Sequence, residues 1–224
     1  MQKIQIIFFI VCAHFYLAQN ILLNKVEKVN DNTDKFLYLL SDGTQDSEYL
    51  GEIEVQGFSK DDAAIFSVIY KKAKEIGANS YALKPFETIE GSISKFDPVH
   101  YKLSLYYTEK SKFSEKIGAL YIFASSEKDQ KISINQKDYI LFPRSFIEIP
   151  VVSGEIYSVS TKKLLGSTIK FQTKNQSTSY YLQVSSSKVK ADQSGTGGLN
   201  LKSGDIIGLE SSYGDFLRTI YNRQ

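Results

Sequence analysis

SKDDAAIFSVIYKKAKEIGANS, residues 59–80, carries the clearest helical period of the chain. Ser59 reads as an N-cap with Asp62 three residues on. The acids at 61 and 62 lie in the first turn, where free backbone N–H groups favour negative charge. Ile65, Ile69, Ala73 and Ile76 recur at helical spacing and mark one apolar stripe. Lys71, Lys72 and Lys74 crowd the far end, where cations meet unpaired carbonyls. Gly77 supplies a left-handed cap, a conformation that glycine enters without steric cost. The pattern predicts a helix over Lys60 to Ile76 that turns at once into a strand at Ser80.

Working outward, Lys35 to Leu40 is a short apolar run, Ser41-Asp42-Gly43-Thr44 a turn cluster, and Tyr49 to Val55 an alternating segment. These read as a strand pair, with Leu50, Glu52 and Glu54 on one face and Tyr49, Gly51, Ile53 and Val55 on the other. Beyond the helix, Ser80 to Leu83 restarts a strand that Pro85 limits. After a polar loop, Tyr101, Leu103, Leu105 and Tyr107 alternate with Lys102, Ser104 and Tyr106. Residues 21–108 thus read as one helix laid across a small mixed sheet, with Glu109 to Gly118 as a linker or a helical turn.

From Ala119 the texture changes to short strands at regular spacing: Leu120 to Ala124, Lys131 to Ile134, Tyr139 to Phe142, Phe146 to Ile149, Glu155 to Val159, Ser167 to Thr173 and Ser179 to Val184. Turn residues fall between them at 135–138, 153–154 and 175–178. Such spacing is that of an antiparallel β-sandwich. Leu199 to Leu209 adds one or two strands, and Asp215 to Tyr221 reads as a closing helix. The fold class expected is α+β: a small mixed sheet with one helix, followed by an antiparallel β-sandwich. The expected division is a signal peptide at 1–18, an α+β domain at 19–110 and a sandwich domain at 119–224.

The signal reading rests on Lys3, the apolar stretch Ile4 to Ala13 interrupted only by Gln5, and a small residue at Ala18 before Gln19-Asn20. An apolar run of that length falls short of the ~20 residues that span a bilayer. The mature chain is therefore expected outside the cytoplasm, periplasmic or extracellular, with no transmembrane span after cleavage. Removal of the signal takes away Cys12 and His14, the chain's one cysteine and one of its two histidines. No disulfide then staples the fold. Of 27 basic residues, 26 remain against 25 acidic ones, so no strongly charged partner is implied. The three arginines, Arg144, Arg218 and Arg223, are scattered, which excludes the clustered basic face of a nucleic-acid binder.

The chemical inventory is thin. His100 is the remaining imidazole, and no Gly-x-Ser-x-Gly elbow accompanies it, so it reads as a surface or strand-edge histidine. No metal site and no cofactor are expected: cysteine ligands are gone, and no calcium-loop spacing occurs. Gly195-Thr196-Gly197-Gly198 lacks the Lys-Ser/Thr of a phosphate loop and reads as a turn. Asp61 and Asp62 answer the helix dipole. Glu52 and Glu54, two apart on a strand, form a candidate carboxylate pair, although acids at that spacing are usual on the solvated face of an edge strand. Glu148 is a further candidate acid. Asn175-Gln176-Ser177 matches a glycosylation sequon. The compositional excess is aromatic, with 15 tyrosines, 14 phenylalanines and no tryptophan. Tyr106, Tyr107, Tyr180 and Tyr181 form two adjacent pairs that place one ring inward and one outward, and exposed rings of that kind suit a glycan or a peptide. The expected function is a non-enzymatic binding or interaction module whose partner is an envelope protein or a glycan. The alternatives are a carboxylate-dependent hydrolase acting on glycans and a structural accessory subunit.

Residues 73–80, Ala-Lys-Glu-Ile-Gly-Ala-Asn-Ser, resemble small bacterial envelope domains in which a helix ends in Gly-Ala-Asn and runs straight into a strand. The second half is similar to the carboxypeptidase-regulatory type of Ig-like domain, on the residues Ala119-Leu120-Tyr121-Ile122-Phe123, the hairpin Lys131 to Phe142, and Ser179-Tyr180-Tyr181-Leu182-Gln183-Val184. The Pro-Gly loop of that group would fall near Pro150 to Gly154, where the pair is absent. Low arginine and the Ala-Gln signal ending resemble exported proteins of the Bacteroidetes. These resemblances imply an envelope sandwich and bring no catalytic residue with them.

Overall fold

In the computed structural model, which describes residues 20–40, 46–57, 59–113, 117–162, 166–185, 202–203 and 205–224, the predicted helix runs Asp62–Glu75 (α1). The signal segment, the 41–44 turn and the 194–198 loop lie outside the described residues. The N-cap of α1 is Asp61, not Ser59: Asp61 accepts from the Ala64 N–H at 2.9 Å, while the Ser59 hydroxyl accepts from the Asp61 N–H. Gly77 takes the left-handed conformation as expected, at φ +75°. A Cβ there would stand 1.8 Å from the Asn30 carbonyl oxygen, so close approach adds a second reason for glycine.

The strands of the first half are Asn20–Val26 (β1), Tyr38–Leu39 (β2), Glu48–Gln56 (β3), Ser80–Lys84 (β4) and His100–Tyr107 (β5), in the sheet order β1-β3-β5-β4-β2. The expected pairing of β2 with β3 is overturned. β2 pairs parallel with β4, because the Tyr38 and Leu40 N–H groups bond to the Asn79 and Tyr81 carbonyls, and β3 lies between β1 and β5. A bulge between Tyr49 and Gly51 also reverses part of the predicted alternation. Leu50 turns inward with Ile53 and Val55, while Tyr49 joins Glu52 and Glu54 on the other face.

All seven predicted strands of the second half are present: Ala119–Phe123 (β6), Gln130–Ile134 (β7), Lys137–Leu141 (β8), Ser145–Pro150 (β9), Ile156–Thr161 (β10), Thr168–Gln172 (β11) and Tyr180–Val184 (β12). Lys202–Ser203 (β13), Ile206–Gly208 (β14), a second helix Ser211–Ile220 (α2) and Asn222–Arg223 (β15) follow. The β7–β8 hairpin turns on Asn135 and Gln136, both at positive φ, the conformation a two-residue loop demands. Two sheets, β11-β10-β7-β8 and β13-β14-β12-β6-β9-β15, share a sandwich-like core that includes Leu120, Ile122, Ile132, Leu141, Val159 and Leu182. Two pairings depart from the antiparallel expectation, since β12 runs parallel to β6 and β15 parallel to β9. The fold is thus α+β and mostly strands, and among the described residues it has two α-helices: α2 answers the closing helix expected over Asp215 to Tyr221, but it packs into the core of the mixed sheet, where one helix was expected.

The second helix explains the departure. Its Phe216, Leu217 and Ile220 join a core with Ile65, Ile69 and Ala73 of α1, with the inward residues of β3, β4 and β5, and with Tyr121, Phe123 and Phe146 from the outer face of the six-stranded sheet. One apolar interior therefore runs from the first sheet to the sandwich. The backbone N–H of Leu37 donates to the Ser212 hydroxyl at 3.0 Å across 175 residues of chain. Among the described residues no helix is long and apolar enough to cross a membrane.

Candidate functional site

Three places collect chemically capable side chains. The first is the face of the N-terminal sheet turned away from α1. Glu52 and Glu54, expected on a solvated edge, are 6% and 8% exposed, because β3 is internal and long side chains from both flanking strands close over them. Lys84 and Lys102 pair with Glu52, the latter at 3.2 Å. Glu54 is bonded by Gln56 and by His100 Nε2, both at 2.6 Å, by Asn24, and more distantly by Lys102 at 3.5 Å. Burial would raise Glu52, but its two lysines outweigh that and hold it below the usual range. Hydrogen bonds from Gln56 and His100 push the Glu54 carboxyl down to about 2. A glycoside-cleaving pair needs one protonated and one ionised carboxyl. Here both acids are held as anions, so the arrangement is a cross-strand ion lattice with no proton to donate. His100 is exposed, as the surface reading has it, but it opens an internal strand and not an edge, with its ring 4.6 Å from Phe86. Glu148 lies on β9 in a different sheet, paired with Arg223 at 3.0 Å.

The second place is a cleft of about 320 Å³ lined by Asn32, Thr33, Asp34, Lys35, Phe36, Asn79, Tyr107, Thr108 and Lys110. Local bonding builds its walls. The Asn32 carbonyl oxygen of the side chain accepts from the Asp34 N–H, and Asp34 Oδ1 accepts from the Phe36 N–H. The Lys74 ammonium donates to the backbone carbonyls of Asp34, Phe36 and Ala78 at 2.8, 2.6 and 3.1 Å, clamping this segment to the end of α1. Burial lowers Lys74 to about 8 against the opposing fields of Asp34 and Glu210. The opposite wall is tied by Asn79, whose amide bonds the Thr108 N–H and carbonyl, each at 2.8 Å. Phe36, whose ring lies 5.8 Å from that of Tyr38, and Tyr107, which also packs against the main core, are among the lining residues, and Lys35 and Lys110 bring exposed cations to the cleft.

The third place is the seam between the halves. Arg144 reaches Asp62 at 2.7 Å, the Tyr221 hydroxyl donates to the same carboxylate at 2.7 Å, and the guanidinium lies over the Tyr221 ring. Burial raises Asp62, with Arg144 and Tyr221 pulling the other way. Asp62 is therefore an interior acid and not only a helix-dipole partner. Further along α2, Arg218 bonds Asp215 at 2.9 Å and stacks on Tyr121. The first group was not visible in the sequence, because its partners stand 82 and 159 residues apart; in the second, Asp215 and Arg218 stand three apart on one helix, a spacing the sequence does show, and Tyr121 is the remote member.

The four tyrosines picked out from the sequence do not form one row. Tyr106 lies on the lattice face, edge-on to Tyr49 at 5.6 Å. Tyr180 packs against Phe171 toward the sandwich core. Tyr181 stacks on Tyr121 at 5.2 Å and donates to Asp215, with burial raising its hydroxyl pKa. Tyr107 alone of the four lines the cleft. The sequon asparagine, Asn175, accepts from the Ser177 and Thr178 hydroxyls within its own turn. Among the described residues no three His, Cys, Asp or Glu side chains converge as a metal ion would require.

A scan against protein-family models found no match, and searches of curated proteins and of solved structures found none either.

Proposed function

We propose that the chain is an exported, non-catalytic interaction module of the cell envelope, and that its ligand seats in the cleft beside Tyr107. The observation that carries this is the construction of the cleft: two aromatic residues and two exposed cations on a framework pinned by Lys74 and Asn79, with Asp34 Oδ2 buried there and, among the described residues, without a hydrogen-bond partner. A site with prearranged walls loses little freedom on binding, and its volume sits at the small end of the ~300–1,000 Å³ usual for ligand pockets. It suits an apolar group flanked by anions or hydrogen-bond acceptors for the two lysines, with a hydrogen-bond donor for Asp34. The pinned anions of the sheet face support the non-catalytic side of the reading, since they offer no general acid.

The chain has no tryptophan and 15 tyrosines, of which Tyr107 alone lines the cleft, so binding is read by calorimetry and not by intrinsic emission. Titration of the mature protein with envelope glycans and with short acidic peptides is expected to give saturable binding that Tyr107→Ala weakens at least tenfold and Lys110→Glu also weakens. Binding that ignores both substitutions, or glycan turnover abolished by Glu52→Gln, overturns the proposal. Sequencing the N-terminus of the exported product tests the location; an intact Met1 on a cytoplasmic protein removes that part of it.

A further inference from the structure

The segment joining β4 to β5 was expected to be a polar loop, yet it carries two strongly exposed isoleucines, one of them the most exposed of the large apolar residues described. Ile89 is fully exposed and Ile93 is 72% exposed. They stand on a formed hairpin. The Thr88 N–H donates to the Ser92 carbonyl at 2.8 Å, the Gly91 N–H to the Thr88 carbonyl at 2.9 Å, and the Ser94 N–H to the Phe86 carbonyl at 2.8 Å, while Glu87 and Ile93 bridge. Gly91 sits at φ +78° after Ile89 and Glu90, the three-residue turn closed by a left-handed glycine. The base is anchored as well: Phe86 packs on His100, and Phe96 packs on Tyr101 and the main core. A rigid stem therefore holds an apolar tip in water, flanked by the exposed acids Glu87 and Glu90, with Lys95 set back toward the base.

The cleft offers complementary features, with Phe36 and Tyr107 in its lining and Lys35 and Lys110 as exposed cations beside the acid of Asp34. It also lies at the opposite end of the same strand pair. The hairpin leaves Lys84 and returns at His100, whereas the cleft uses Asn79, just before β4, and Tyr107 and Thr108, where β5 ends. We propose that the Ile89 tip of one copy enters the cleft of a second copy, so that the chain associates head to tail. This rests on the cleft being a binding site. A head-to-tail contact is heterologous and leaves a free tip and a free cleft at the two ends, so chains of copies grow unless the rotation closes a ring. A contact this small makes the association weak and concentration-dependent.

Sedimentation velocity of the mature chain over a wide concentration range tests it. The expected result is a mass that rises with concentration, and loss of that rise in Ile89→Asp and in Lys110→Glu. Ile89 touches nothing that folding needs, so Ile89→Asp is expected to keep the wild-type melting temperature. An equimolar mixture of the two variants retains one compatible contact, the Ile89 tip of one with the intact cleft of the other, if the cleft lost to Lys110→Glu is the tip's receptor. That mixture is expected to stop at a heterodimer. A wild-type chain monomeric throughout, association unchanged in Ile89→Asp, or a mixture that grows past two copies each overturns the proposal. Titrating Ile89→Asp with the same glycans and acidic peptides separates the two readings: Tyr107-dependent binding by a chain whose wild type stays monomeric sinks self-association and leaves the cleft standing, while absence of both removes both.

Discussion

Glu54 is held by more partners than any other acid on the face of its sheet, with Asn24, Gln56, His100 and Lys102 all reaching its two oxygens. Its folded pKa, about 2, lies below its ordinary value of 4.5, so the folded state binds its proton less readily than the unfolded one. The stabilisation is therefore complete above pH 4.5 and is lost as pH falls from there through 2. Urea midpoints measured across that interval are expected to fall steeply for the wild type and less steeply for Glu54→Gln. Parallel slopes would show that the carboxylate does not contribute in this way. The sequence placed Glu52 and Glu54 on a common face correctly, and missed that the face is covered. Alternation records which side of a strand a residue takes, but not whether a neighbouring strand will send a lysine over it.

At the scale of elements, what was legible was what is local. The helix of residues 62–75 and the seven strands of the second half follow from spacing and turn residues within a few positions of each other. Strand pairing was not legible, because β2 joins β4 through backbone bonds that any residue can make. The 3.6-residue period of α2 was visible only over Asp215 to Tyr221, since Glu210 caps it with a long side chain that bonds the Ser212 and Tyr213 N–H groups, an uncommon cap. Gly214 within it decides between two effects. Propensity alone predicts that alanine there gains about 1 kcal/mol. A Cβ at Gly214, however, would stand 2.2 Å from Tyr181 Cδ1, and that ring is fixed by Tyr121 and Asp215. Overpacking of this kind costs about 1–3 kcal/mol, so Gly214→Ala is expected to lower the melting temperature, and a rise would mean that the α2–β12 contact is softer than its geometry.

For the whole molecule, the seam sets cooperativity. The sandwich presents Tyr121, Phe123 and Phe146 outward, and these are buried only because α2 and the first half cover them. Asp62, Arg144 and Tyr221 tie the same boundary with buried charge. Removing one member of such a pair leaves the other uncompensated, at about 3–5 kcal/mol, and Asp62→Ala is expected to destabilise the chain by that order in denaturant titration. Calorimetry should show one transition with equal calorimetric and van't Hoff enthalpies. Two resolved transitions would mean that the halves melt separately and that the common core contributes little.

The bond between Tyr221 and Asp62 closes across 159 residues, and the Leu37 bond to Ser212 across 175. Until residues 211–221 arrive, α1 and the inner face of the first sheet cover each other but lack Phe216, Leu217 and Ile220, so an emerging chain completes the core of its first half late. That is a matter of timing: assembly is deferred until the distant segment is available, and a chain that stays open while its far end is still being made remains threadable.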